Sequence, residues 1–182
     1  MAFVSRAGEK LEHALAGFGI DPAGWVCADL GCSTGGFTDC LLQHGAAKVY
    51  AVDTGYGVLD YKLRKDGRVV VMERTNAMHV VLPEPVQLVT IDVSWTRQKN
   101  ILGHARSLLA PGGKIITLIK PHYEAERSKL RHGILPDEEV PGVVEAVSRQ
   151  IQGAALAVIQ TTPSPIRGGK GNQEILALLA PR

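Results

Sequence analysis

Cysteine is scarce in this chain. Its three copies, Cys27, Cys32 and Cys40, form an odd set with no paired spacing. That excludes a disulfide scaffold and fits reduced thiols in a cytoplasmic protein. Aromatic residues make up only 5% of the sequence, too few for a broad base-stacking platform. No apolar run approaches the roughly eighteen residues a membrane span needs. The first ten residues already carry Ser5, Arg6, Glu9 and Lys10, which leaves no apolar stretch for a signal peptide. Net charge is small too: 20 basic residues against 18 acidic ones give +2, which announces no nucleic-acid partner by itself. What is present is ordinary. An apolar fraction of 45% and a charged fraction of 21% over 182 residues describe one soluble globular domain over 1–182, with no membrane partner.

Short β-branched runs recur along the chain: Val26–Leu30, Val49–Asp53, Val69–Met72, Leu88–Asp92, Ile115–Ile119, Ala154–Thr161 and Ile175–Leu179. Each has the length and composition of a buried strand. Helical stripes lie between them. Leu11, Leu15 and Phe18 follow a cap expected at Ser5, and Phe37, Cys40 and Leu41 follow Ser33 and Thr34. Ile101, Ala105, Leu108 and Leu109 form a third stripe closed by Pro111 and two glycines. Val143, Val144, Val147 and Ile151 form a fourth after Asp137, Glu138 and Glu139. Alternating strands and helices predict an α/β three-layer sandwich around a mostly parallel sheet. In such sheets ligands bind beyond the carboxyl ends of the strands.

After the first strand comes a glycine loop, Asp29-Leu30-Gly31-Cys32-Ser33-Thr34-Gly35-Gly36-Phe37. Glycines let the backbone turn sharply, and the helix that follows presents free N–H groups to an anion. The loop has neither the G-x-G-x-x-G spacing nor the G-K-[ST] ending of the common nucleotide motifs. The second strand ends on Asp53, about twenty residues beyond Gly31, where a carboxylate can accept from both ribose hydroxyls. Together these features argue for an adenosyl ligand without pyrophosphate.

Seven segments then appear in order. They are SRAGEKL (5–11), DLGCSTGGFTD (29–39), AVDTGYGVLDYKLRKD (51–66), ERTNA (73–77), IDVSW (91–95), LIKP (118–121) and SPIRGGKGNQEIL (164–176). With them the chain resembles the hemolysin-A-type (TlyA) branch of the FtsJ-like RNA 2′-O-ribose methyltransferases. The resemblance implies a class I, Rossmann-like methyltransferase fold of seven strands, the last antiparallel, binding S-adenosyl-L-methionine. The cofactor set it implies is Asp29, Gly31, Ser33, Gly35, Gly36, Phe37, Asp53, Asn76 and Asp92. It also implies a catalytic Lys-Asp-Lys-Glu tetrad at Lys10, Asp92, Lys120 and Glu174.

The tetrad positions make chemical sense as well. A ribose hydroxyl is a weak acid, so its attack needs alignment and a proton acceptor. Two partly desolvated lysines close together lower one amine from its usual value of about 10.4. Lys120 is therefore the expected acceptor, with Lys10 and Asp92 tuning it and Glu174 fixing a lysine head group. Taken singly, Lys10 reads as a surface helix lysine, Asp92 as a turn cap, Lys120 as a solvent lysine and Glu174 as an outward edge residue.

An amino-group methyltransferase is disfavoured, because Asp92-Val93-Ser94-Trp95 lacks the Pro-Pro-aromatic clamp of those enzymes. Trp95 suits base stacking or packing equally. Basic residues cluster at Lys62, Arg64, Lys65 and Arg68, at Arg127, Lys129 and Arg131, and at Arg167 and Lys170. Arg167 and Lys170 are expected to touch substrate with Trp95. Cys40 and His44 form a helical pair on a buried face and no second pair completes four ligands, so no metal is expected.

The expected partner is RNA, ribosomal RNA or a ribosomal subunit. Similar proteins carry a ribosomal-protein-type RNA-binding domain ahead of the catalytic one. This sequence starts almost on Ser5-Arg6, which leaves two readings of targeting open: an RNA other than ribosomal RNA, or a separate partner that supplies recognition. Two other readings stay open: methylation of another hydroxyl or a small molecule, and a non-catalytic S-adenosylmethionine-binding module.

Overall fold

Alternation of buried side chains along the strands dictates how the chain layers. The computed structural model describes residues 2–182. Seven strands form one sheet: β1 (Val26–Leu30), β2 (Lys48–Val52), β3 (Val69–Met72), β4 (Val86–Ile91), β5 (Leu109–Ile119), β6 (Leu156–Pro163) and β7 (Ile175–Pro181). Their order is β3-β2-β1-β4-β5-β7-β6. Neighbours from β3 to β5 pair in parallel, while β7 runs antiparallel to both β5 and β6. The sheet is thus mixed, and β7 is the reversed strand.

Period-two alternation sends successive side chains to opposite faces. Val49 and Ala51 join Ile116, Leu118, Leu176 and Leu178 on one face. Helices α1 (Ala7–Phe18) and α2 (Gly36–Gln43) cover that face with Leu11, Leu15, Phe37 and Leu41. Tyr50, Val52, Ile115, Ile119, Ala177 and Leu179 point the other way. There Ile101, Leu102 and Ala105 of α4 (Gln98–Ser107) and Val143, Val147 and Ile151 of α6 (Val140–Gly153) complete the second core. Two short helices, α3 (Tyr61–Arg64) and α5 (Pro121–Glu124), follow β2 and β5 on the site edge.

Several boundaries differ from the sequence reading. Asp53 and Asp92 leave their strands and sit in the turns just beyond Val52 and Ile91. Ser5 does not cap α1: the N-cap is Arg6, with no side-chain cap bond, and the Ser5 carbonyl accepts from Gly8 N. Helix α4 stops at Ser107, and Leu109 opens β5. Leu109 pairs with Val86, whereas Lys114 pairs with Leu88. Pro111-Gly112-Gly113 therefore forms a bulge within the strand rather than a stop after the helix. A Cβ on Gly113 would sit 2.9 Å from the Ala110 carbonyl, which only glycine avoids. The sixth strand starts at Leu156 because Ala154 still closes α6 and Ala155 takes a left-handed φ of 56°.

Candidate active site

The strand order reverses at β1, which lies between β2 and β4, and a crevice opens above such a switch point. A cavity of about 810 Å³ occupies it. Gly31, Cys32, Ser33 and Thr34 line it from the loop after β1, and Asp92 and Trp95 from the turn after β4. Lys120, His122 and Tyr123 enter from the end of β5, Lys10 from α1, and Arg167 to Lys170, Asn172 and Glu174 from the approach to β7.

The four proposed catalytic side chains all line this cavity, as two ion pairs. Lys120 Nζ lies 2.7 Å from Asp92 Oδ1. Lys10 Nζ lies 2.5 Å from Glu174 Oε2. Glu174 is only 3% exposed, so its carboxylate needs the lysine it faces. It points inward from the turn just before β7, and its carboxylate fills the space where a side chain on Gly168 would stand.

The glycine loop is shaped by packing. Gly31 has φ 85°, and a Cβ there would fall 2.6 Å from the Asp92 carbonyl oxygen. Gly35 has φ 102° and is closed over by Leu59 and Leu63, while Gly36 abuts Ser5 and Gly8 of the α1 entry. These glycines let β4, α3 and α1 converge around the cavity. Phe37 lines the cavity and anchors α2 in the core.

Asp53 holds the loop from the β2 side. Its Oδ2 accepts from Ser33 N at 2.9 Å and its Oδ1 from Gly55 N at 2.7 Å. The segment after β3 docks on the same turn, with Thr75 N donating to the Asp53 carbonyl at 2.9 Å. Asn76 lies outside the cavity lining; it is exposed, and its Oδ1 accepts from Met78 N at 2.9 Å. Asp29 is fully buried and also faces away from the cavity. Its carboxylate accepts from the Thr38 hydroxyl at 2.7 Å and the Thr90 hydroxyl at 3.1 Å, tying α2 and β4 to β1. Burial pushes its pKa up to about 7, against the pull of those hydroxyls.

The substrate-side residues diverge. Trp95 is 84% exposed at the cavity rim, with φ 63° and its ring centroid 4.9 Å from that of Tyr123. Lys170 lines the cavity, exposed and also left-handed at φ 59°. Arg167 is engaged elsewhere: its guanidinium donates to both oxygens of Asp137, at 3.1 and 2.7 Å, and to the Gly171 carbonyl at 2.9 Å. It braces the wall of the cavity.

Sequence reading missed several residues. Asn172, 2% exposed, accepts from Leu135 N at 2.9 Å and donates to the Gly133 carbonyl at 3.1 Å, joining two wall loops. Glu73 accepts from the N–H groups of Gly57, Val58 and Leu59 and pairs with Arg64, fixing the loop ahead of α3. The Gly57 N–H, followed by its neighbours, holds that carboxyl below its usual range. The pKa of His122, close to Lys120, is lowered by burial and by the Lys120 charge. Arg6, Arg97, Tyr123 and Arg127 are also among the lining residues. Arg97 and Tyr123 sit just after β4 and β5, where the strand-end rule points; Asn172 carries no local signal.

Among the described residues no three His, Cys, Asp or Glu side chains gather to hold a metal ion, and no helix is long and apolar enough to cross a membrane. The cavity suits an adenosyl donor in both size and chemistry. The glycine loop leading into α2 lines it with Gly31, Cys32, Ser33 and Thr34, while Asp53 stands outside the lining and fixes that loop through Ser33 N.

The model of the FtsJ-like methyltransferase family matches residues 3–180. The chain is 44% identical to YqxC of Bacillus subtilis, a protein named for rRNA methyltransferase activity, over 97% of this chain and 65% of that one. It is 40% identical to the 16S/23S rRNA (cytidine-2′-O)-methyltransferase TlyA of Mycobacterium tuberculosis, over 95% of this chain and 66% of the relative. A solved hemolysin-named protein from Streptococcus thermophilus superposes with a TM-score of 0.96 at 39% identity, covering 100% of this chain and 68% of that one. The chain thus spans about two thirds of the length of these relatives. Solved methyltransferase structures at 14% and 18% identity share the fold alone. On the family match and these identities, the chain belongs to the FtsJ-like methyltransferase family.

Proposed function

We propose that this protein is an S-adenosylmethionine-dependent RNA methyltransferase that modifies a ribose 2′-hydroxyl, with ribosomal RNA as its substrate. The observation that carries this reading is the meeting of the Lys120–Asp92 and Lys10–Glu174 pairs in one cavity with the glycine loop. Relatives named as rRNA cytidine-2′-O-methyltransferases support it.

When bound, S-adenosylmethionine supplies a sulfonium-activated methyl group, open to in-line attack by a hydroxyl oxygen. The protein's task is alignment and proton removal. Gly31, Ser33, Gly35, Gly36 and Phe37 shape the cofactor side, and Asp53 fixes Ser33 and receives the ribose of the cofactor. Asn76 serves the adenine side from the turn docked on Asp53, and Asp29 keeps β1 and α2 in register beneath. On the reacting side, Lys120 first gives up its proton to solvent, and its neutral amine then takes the hydroxyl proton as the oxygen attacks. Asp92 then faces the ammonium that forms and holds it in place. Lys10, locked by Glu174, presents a fixed positive charge to the developing alkoxide. Trp95 gives the target base a face on which to stack.

Incubation with tritiated S-adenosylmethionine and purified ribosomal subunits or total RNA tests the proposal. Label in RNA is expected. Cofactor binding without label in any RNA overturns it.

A further inference from the structure

The charges lining the cavity do not balance. Asp92 and Glu174 are its only lining carboxylates among the described residues, and each is taken by one lysine. Arg167 is taken by Asp137. Four further cations line the same cavity: Arg6, Arg97, Arg127 and Lys170. None has an ion-pair partner within 4.0 Å among the described residues. All four are exposed, and they come from four separate segments: the α1 entry, the α4 entry, the turn after α5 and the turn before β7.

One anion cannot use four such cations. S-adenosylmethionine makes the excess larger, because its sulfonium and ammonium outnumber its single carboxylate. The other ligand must therefore carry several negative charges spread over the cavity mouth. A nucleoside or a neutral small alcohol does not; a phosphodiester chain does. The rim also holds Trp95, tilted against Tyr123. Cations interleaved with an exposed aromatic ring form the pattern that grips single-stranded nucleic acid by backbone and base face together.

Resting on the RNA reading above, we infer that Arg6, Arg97, Arg127 and Lys170 are phosphate-binding residues that hold the backbone flanking the target nucleotide. The site then takes a nucleotide within a strand, with phosphates on both sides, and works poorly on free nucleosides.

The test is equilibrium binding of a short fluorescein-labelled single-stranded oligoribonucleotide, by anisotropy, across a series of salt concentrations. Each phosphate contact contributes a slope of about −0.7 to the plot of log K against log salt for single strands. Arg6→Gln, Arg97→Gln, Arg127→Gln and Lys170→Gln are each expected to weaken binding and to flatten that slope by about one contact. Arg149→Gln removes the same charge from an exposed pair on α6, away from the cavity, and is expected to leave the slope unchanged. Unchanged slopes in all four variants, or equal flattening in Arg149→Gln, overturn the inference. Because the readout needs no turnover, the two readings fail separately. Flattened slopes without methyl transfer keep the phosphate set and reject the enzyme; methyl transfer with unchanged slopes does the reverse.

Discussion

Lys120 Nζ sits 2.7 Å from Asp92 Oδ1, bridging the ends of the adjacent parallel strands β5 and β4. The pair exists because both strands stop at the crevice and release one charged residue each into it. Asp92 is itself placed by its N–H, which donates to the Leu30 carbonyl at 3.0 Å, and by Gly31, which alone permits β1 and the Asp92 carbonyl to come so close. The crevice ends of β4 and β5 are thereby tied to the glycine loop through backbone.

Gly31→Ala tests that tie. The new methyl would meet the Asp92 carbonyl in a backbone conformation L residues avoid, at a cost of about 2 kcal/mol. Urea denaturation should show that loss, with methyl transfer falling alongside as Asp92 is displaced. Unchanged stability and turnover would show that the loop does not set Asp92.

Splitting the second pair should cost more. Glu174→Gln leaves the Lys10 ammonium facing a neutral group in a nearly closed site, a loss of about 3 kcal/mol. The double variant Lys10→Met/Glu174→Leu should regain most of that stability, since no charge remains unpaired, and yet stay inactive. Activity in the double variant would remove this pair from the chemistry.

Asp53→Ala should act on the cofactor. Loss of a carboxylate that hydrogen-bonds a ribose is expected to weaken binding by about 1.5 to 3 kcal/mol, roughly ten- to a hundredfold in Kd. Calorimetry with S-adenosylmethionine checks this. A parallel melting curve of the free protein separates the effect from loosening of Ser33 and Gly55, which the same carboxylate holds. An unaltered Kd would end the ribose assignment.

Asp29 makes stability depend on pH. Its pKa in the fold is about 7 against an ordinary 3.8, so between those values the folded state binds the extra proton. Stability then falls as pH rises from about 4 to about 7 and levels off above, by on the order of 4 kcal/mol at most. Asp29→Asn, which cannot ionise, should lack that decline. Identical pH profiles for the two proteins would contradict it.

The sheet was legible because β-branched apolar runs of strand length have few alternatives in an α/β pattern. Errors fell where side-chain period and hydrogen bonding part company. Leu108 and Leu109 continue the α4 stripe, yet Leu108 only caps the helix and Leu109 already opens β5, ahead of the glycine bulge. Motif order singled out Lys10, Asp92, Lys120 and Glu174, but their pairing was hidden: Lys10 and Glu174 stand 164 positions apart, and only α1 packing beside β7 unites them. The same limit applies to Arg167. Its free appearance in the sequence ends at Asp137, across 30 positions. Asn172 joins two loops without any neighbouring residue to announce it.

The central claim is ribose methylation through Lys120, and one measurement reaches it most directly. Wild type and Lys120→Ala are compared for transfer of labelled methyl from S-adenosylmethionine to RNA, followed by alkaline hydrolysis of the product. Label in an alkali-resistant dinucleotide is expected for wild type, with a loss of about a hundredfold or more in the variant and cofactor affinity kept. Label released in alkali-sensitive mononucleotides, or full turnover by Lys120→Ala, would contradict it.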